Sequence, residues 1–450
     1  MGNIQLSLSL HLSGLINSAS ADTDTDLNNI ILQNIGLLLQ SSSFANDIGF
    51  IILNEAILKL QMSESSNCEA EKVVKRGKSI AFYCNEYGNA WWPNFGPSSV
   101  GPNANGVGGS EEAVIYIART LASAGYDVRV YADPIASDIG TISIDSGFLT
   151  WQHYSCFDVT QELDIFISWR YAASIMLGLH AKQRFLWIHD LIDPYVFPTR
   201  YWDKVTGIFV QSEFHREFIL QYAIDNSNVY VVPNGVYMSN NCHGPNHNDI
   251  FVYGSSPNRG LEEVLKVWPA IKRFIPTATL EVYYGFNANV DIQLGRQMGS
   301  SYTNWKQKLL RLLGQEGVYY KQTVDHNTLM TAYSRTGFIL YPTYFQETGC
   351  ITIMKAMACG SIPITSRLIE SVLYNLTKGY DLGPSTALNL IIGRNETSYS
   401  QWINEEWLPS VLRVSTYSYE EIKQIRKQMK KYGRSMSWEK SAMIMSSYFI

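Results

Sequence analysis

From residue 79 onward, short apolar runs alternate with amphipathic stretches, and the alternation occurs twice. The first series holds "SIAFYC" (79–84), "YDVRVYA" (126–132), "DIFISW" (164–169), "RFLWIH" (184–189) and "GIFVQS" (207–212). Its clearest helical segment is "EEAVIYIARTLASAG" (111–125), closed by Gly125 as a C-cap. The second series runs through "IFVYGS" (250–255), the helix 260–274, "ATLEVYYG" (278–285), "GVYYKQ" (317–322), the helix 327–336, "GFILYPT" (337–343) and "IPITS" (362–366). Strands that are apolar throughout must be buried on both faces, which requires helices on both sides of a parallel sheet. The expectation is an α/β chain of two Rossmann-like βαβ domains facing each other across a cleft. In such sheets ligands lie beyond the carboxyl ends of the strands.

Residues 1–78 stand apart. "LNNIILQNIGLLLQSSSFANDIGFIILNEAILKLQ" (27–61) reads as two amphipathic helices around a "SSSF" turn, similar to a single tetratricopeptide-type hairpin. One such hairpin cannot bury its own apolar face, so it is expected to dock, with a protein partner as one occupant. The polar stretch 63–78 reads as a linker. The expected division is therefore 1–78 (hairpin and linker), 79–243 (first βαβ domain), 244–420 (second) and 421–450 (a C-terminal helix running from about 418 to 449).

Composition excludes some classes. With 35 basic against 40 acidic residues and no long basic run, the chain is no electrostatic nucleic-acid binder. Its apolar runs fall short of the ~20 residues that span a bilayer, and its N-terminus lacks the layout of a signal peptide. The six cysteines are scattered, with no metal-ligand spacing. Cys84 and Cys350 read as small buried hydrophobes, as suits a reducing, cytoplasmic setting. No metal or resident cofactor is expected.

Five short stretches carry polar chemistry. "NGVGGSEEAV" (105–114) puts Gly108 and Gly109 before a helix N-terminus; this is either a plain turn or a place where backbone amides meet an anion. His189 and Asp190 end an apolar strand on the binding edge, where a histidine is either structural or in contact with a ligand. "VVPNGV" (231–236) is a turn. "GSSPNRGLEEVL" (254–265) sets Arg259 at a helix N-terminus after the first strand of the second series, a site for a diphosphate or simply a solvent-facing arginine. "YPTYFQETGCITIMKAMACG" (341–360) places Glu347 at a strand end, with Thr348, Gly349 and Cys350 leading into a buried helix.

In order and spacing these patches, with "SEFHRE" (212–217) and "SWEKSA" (437–442), resemble the retaining GT-B glycosyltransferases of the group 1 (family-4-like) branch over roughly residues 79–445. The resemblance implies a nucleotide-sugar donor as substrate and a glycan, lipid or protein acceptor. It would give Glu347 and His189 to the reacting sugar. Gly108, Gly109, Arg259, Thr348, Gly349 and Cys350 would go to the donor. The family's E-x7-E motif departs here: its second Glu, which takes ribose hydroxyls, is Lys355. A second basic residue expected five positions before Arg259 is Gly254. A lysine donates to hydroxyls but cannot accept from them, so Lys355 would either bind the ribose differently or add positive charge near the diphosphate. The rival reading is a catalytically silent nucleotide-sugar-binding or scaffold protein of the same fold. A nicotinamide dehydrogenase explains neither "SSPNRGL" nor "QETGC".

Overall fold

The computed structural model describes residues 77–84, 107–134, 136–191, 204–221, 228–238, 242, 246–286, 288–377 and 379–450. The hairpin expected at 27–61 and nearly all of the linker 63–78 lie outside the described residues, as does the expected boundary at 243–244.

The first sheet contains β1 (Ser79–Tyr83), β2 (Asp127–Ala132), β3 (Gly140–Ile144), β4 (Gly147–His153), β5 (Leu163–Trp169), β6 (Ala181–Trp187), β7 (Gly207–Val210) and β8 (Val229–Val231). Their order is β3-β4-β2-β1-β5-β6-β7-β8, parallel throughout except for the β3–β4 edge hairpin. The second sheet contains β9 (His247–Tyr253), β10 (Thr279–Tyr283), β11 (Val318–Gln322), β12 (Thr336–Tyr341) and β13 (Ile362–Thr365), in the order β11-β10-β9-β12-β13, all parallel. The expected α/β architecture of two facing βαβ units is what the chain adopts. The edge hairpin β3–β4 was not anticipated, because β3 is short and largely exposed and β4, "GFLTWQH", mixes polar residues into its apolar run.

Alternation along β1 shows why such strands need cover on both sides. Ile80, Phe82 and Cys84 enter one core, with the helix α1 (Gly109–Ser123), while Ala81 and Tyr83 enter another with Phe157 and Phe166. Burying a side chain the size of Ile80 or Phe82 stabilises the fold by about 1.5–3 kcal/mol, so the five consecutive buried residues of β1 commit it to the sheet interior.

Further helices are α2 (Glu213–Leu220), α3 (Leu261–Phe274), α4 (Ala288–Met298), α5 (Tyr302–Leu312), α6 (His326–Arg335) and α7 (Ile351–Cys359). Helical turns follow between 373 and 413, and then α8 (Tyr419–Arg434) and α9 (Trp438–Ser446). The single terminal helix expected from 418 to 449 is thus two. Helix α8 opens with a Ser418–Glu421 capping box and packs on α7 of the second unit. Ser437 then caps α9, which lies against α1 of the first unit. Gly235 is forced by this return: a Cβ there would lie 2.3 Å from the Trp438 backbone nitrogen.

Cys242 and Cys359 form a disulfide, tying the connection between the sheets to the end of α7. Scattered spacing could not reveal this pairing, and an expectation of a reducing environment does not account for it. Cys84 and Cys350 are unpaired and buried, as expected. No helix among the described residues is long and apolar enough to cross a membrane.

Candidate functional site

Strand order locates the cleft. In the first sheet β1 has β2 on one side and β5 on the other; in the second β9 lies between β10 and β12. Each sheet therefore reverses its winding there, and the loops leaving β1 and β5, or β9 and β12, diverge and leave a crevice. Arg259 follows β9 and Glu347 follows β12, so the two flank the second switch point.

They also touch. Arg259 Nη1 lies 2.7 Å from Glu347 Oε1, and the guanidinium covers the Phe345 ring at 4.0 Å. The Tyr341 hydroxyl donates to the same carboxylate oxygen at 2.5 Å, and Ser255 Oγ is 3.2 Å from that hydroxyl. Burial, then the neighbouring carboxylate, holds Tyr341 protonated far above the ordinary range, which keeps it a donor. The loop itself is anchored by Val372, whose amide donates to the Glu347 carbonyl at 2.8 Å.

Across the seam, the strand end 188–190 is held carbonyl by carbonyl. Gln211 donates to the Ile188 oxygen at 3.3 Å, Thr348 to the His189 oxygen at 2.7 Å, and the His215 ring meets the Asp190 oxygen at 3.0 Å. The His189 ring lies 4.6 Å from the Trp187 ring centroid, and its buried Nε2 has no protein partner. Burial, with Arg170 and His215 adding to it, pushes His189 well below its usual pKa, so the ring is neutral. Unpaired buried polar atoms also occur on Gln211 (Oε1) and Asn234 (Oδ1), both beside the Gly349 backbone. A run of orphaned polar atoms at one seam is where hydroxyl-rich ligands or water find partners.

Thr348 and Gly349 belong to that seam. The Asn234 amide donates to the Gly349 carbonyl at 2.7 Å, and a Cβ on Gly349 would stand 2.8 Å from Asn234 Nδ2 and 2.9 Å from Gln211 Cβ. The absence of a side chain at 349 is therefore set by close approach of the two units. Cys350 stands at the N-cap position of α7 without a side-chain cap bond, and its buried thiol is neutral, its pKa raised by burial and by Glu347. Gly108 is the N-cap of α1, and Gly109 meets α7 end-on: its Cβ would lie 3.2 Å from Ile351 Cδ1. The helix starts of α1 and α7 thus converge on one place.

Lys355 is not open to the cleft. Its ammonium lies 2.6 Å from Glu112 Oε2 and 2.9 Å from His326 Nε2. Gly254, where a second cation was expected, has its side-chain space filled: a Cβ there would be 2.3 Å from the Tyr333 hydroxyl.

Sequence reasoning missed Arg170, Glu111 and Glu112, and did not give Tyr341 its place beside Glu347. Arg170 ends β5 at the first sheet's switch point in a left-handed backbone conformation (φ 62°), with Asp190 Oδ2 at 2.6 Å and Glu111 Oε1 at 3.7 Å. Burial raises the Glu111 carboxyl, and Arg170 opposes it. The available signal was a charged residue directly after a buried, mostly apolar strand. Glu111 and Glu112 were visible only as the exposed start of a helix. Among the described residues no group of three or more His, Cys, Asp or Glu side chains is arranged to hold a metal ion.

No family model matches the sequence, and no curated protein matches it either. Solved structures do match in three dimensions. Sucrose-phosphate synthase from Thermosynechococcus elongatus superposes with a TM-score of 0.56 at 14% identity, covering 82% of this chain and 98% of that one. HepE from Anabaena, in complex with UDP and glucose, gives 0.55 at 13% identity over 82% and 98%. The trehalose-6-phosphate synthase OtsA gives 0.57 at 12% identity over 83% and 99%. The fold is that of the GT-B glycosyltransferases.

Proposed function

We propose that the chain is a glycosyltransferase that moves a sugar from a nucleotide-sugar donor to a hydroxylated acceptor, a glycan, lipid or protein, with retention at the anomeric carbon and without a metal. The observation that carries this reading is the Arg259–Glu347 pair at the switch point of the second sheet, opposite the neutral His189 on the binding edge of the first. Similarity in fold to HepE, solved with UDP and glucose, supports a nucleotide sugar as the ligand.

The roles follow from charge. As the bond from the anomeric carbon to the diphosphate breaks, negative charge grows on the leaving phosphate and positive charge on the sugar. Arg259, with the free amides at the starts of α3 and α7, suits the first; the Glu347 carboxylate suits the second. An incoming diphosphate would compete with Glu347 for Arg259, freeing the carboxylate for the sugar. His189, neutral and with Nε2 unpaired, suits a sugar hydroxyl. Gly108 and Gly109 bring the start of α1 to the same seam, where the Glu111 carboxylate lies against Gly108 and would have to turn aside for a diphosphate. Arg170, bracketed by Asp190 and Glu111, stands on the cleft edge of the first unit, the unit to which this reading gives the acceptor.

A panel of nucleotide sugars in a thermal-shift assay, followed by measurement of donor hydrolysis, tests the reading. A stabilising donor that is also hydrolysed supports it, and no stabilisation by any nucleotide sugar overturns it. The filled space at Gly254 and the engagement of Lys355 by Glu112 favour a second reading, a silent nucleotide-sugar binder. Stabilisation without hydrolysis or transfer is its signature.

A further inference from the structure

Glu112 stands in the first turn of α1, in the first unit; Lys355 is on α7 and His326 opens α6, both in the second. Glu112 is 2% exposed, Lys355 5% and His326 6%. Glu112 Oε2 lies 2.6 Å from Lys355 Nζ and 3.2 Å from His326 Nε2. Burial pushes the Glu112 carboxyl up, but His326 and Lys355 together outweigh it and leave it ionised. The other polar links described across this seam, Thr348 to the His189 carbonyl and Asn234 to the Gly349 carbonyl, are between neutral groups. The Glu112–Lys355 link is an ion pair, so losing either charge leaves the other buried without its counter-charge.

We propose that Glu112, Lys355 and His326 form a cross-domain latch, and that Lys355 sets the closed arrangement of the two units without touching the donor. The reason lies in what each state does to the charges. When the units are together, carboxylate and ammonium are out of water and satisfied by each other. When they separate, each is hydrated, and hydration replaces the pair at little net cost. Removing one partner penalises only the closed state, because the survivor is then buried without its counter-charge, with only the His326 ring left beside it. The least costly response is for the seam to open, with both sheets intact. Ile351, one turn before Lys355 on α7, reinforces the link by packing into the apolar core of the first unit. The latch accounts for a lysine where the resemblance expects a glutamate: a carboxylate at 355 would face Glu112 directly.

Hydrogen–deuterium exchange on the full chain tests this, comparing the parent with Lys355→Met, Glu112→Gln and the charge-swapped Glu112→Lys/Lys355→Glu. Lys355→Met should speed exchange at least ~10-fold in segments 109–113 and 347–354 while β1 and β9 keep parental protection. The swap should return both segments towards the parent. Unchanged exchange in those segments overturns the latch. So does acceleration spread equally over the seam and the strand cores, which would make the triad a general stability element. Should Lys355→Met fail to fold, Glu112→Gln carries the same expectation, and a swap as loose as either single variant also overturns the proposal. No turnover enters the readout, so its failure is distinguishable from failure of the transferase reading.

Discussion

Arg259 and Glu347 lie 88 residues apart in the sequence and 2.7 Å apart in space, joining the loops that leave the two central strands of the second sheet. The pair is only partly buried on the arginine side, 31% against 7% for the glutamate, so a ligand can reach the guanidinium first. That asymmetry sets the expected order of events: the diphosphate takes Arg259, and the carboxylate is released to the sugar.

Glu347→Gln should keep the fold, since the amide oxygen can still accept from Tyr341, and should lower turnover by at least ~100-fold. Steady-state kinetics with a thermal melt of the same sample checks both halves. Turnover within a few-fold of the parent would mean that the charge at 347 serves only to hold Arg259.

Arg259→Ala should weaken binding of the free nucleoside diphosphate by ~1.5–3 kcal/mol, the scale of a hydrogen bond to a charged group. Binding of the nucleoside alone should be unchanged. Arg259→Lys should recover only part of the loss, because a compact ammonium reproduces neither the fork of donors nor the stacking on Phe345. Isothermal titration of the three proteins decides this; equal affinity in all of them would place the diphosphate elsewhere.

Gly349→Ala should loosen the seam. The added methyl would overlap Asn234 Nδ2 and Gln211 Cβ, at a cost of about 1–3 kcal/mol. A melting temperature within a degree of the parent, with parental activity, would show that the two units do not meet this closely in solution.

Acid should destabilise the chain well above the carboxylate range. Burial lowers His215 to about 4 and His189 well below its usual value, so both are neutral when folded and protonate in the unfolded chain near pH 6.5. Between those limits the unfolded state binds more protons, and stability rises with pH. The contribution of each histidine is complete above pH 6.5 and is lost as pH falls towards its folded value, with a slope of about 1.4 kcal/mol per pH unit for each. Melting temperatures from pH 7.5 to 4.5 should fall along this window. His215→Gln should flatten the decline, and an unaltered slope in that variant would remove His215 from the explanation.

The apolar strands, the helix starts and the placement of His189 and Glu347 beyond the carboxyl ends of strands were legible in the sequence because each depends on neighbouring residues, although Glu347 lies in the loop six residues past β12 and not at its end. Continuous burial of β1 or β12 follows from side-chain period, and a capped helix start follows from spacing. The polar residues that follow such a strand must then lie on the binding edge. Other features depend on where distant segments meet, which local pattern does not carry. The Cys242–Cys359 bond and the split of the last helix between the two units are of that kind.

By itself the sequence determined that there are two parallel α/β units and which residues sit on their facing edges, because strand and helix periods and turn chemistry are local. Only the tertiary structure decided what those edge residues do to one another. It turned Arg259 onto Glu347, let Tyr333 fill the space at Gly254, pressed Gly349 against Asn234 and gave Lys355 to Glu112. A charge or a gap at one position has no meaning until the opposite surface arrives, since pairing, desolvation and close contact are properties of two surfaces at once.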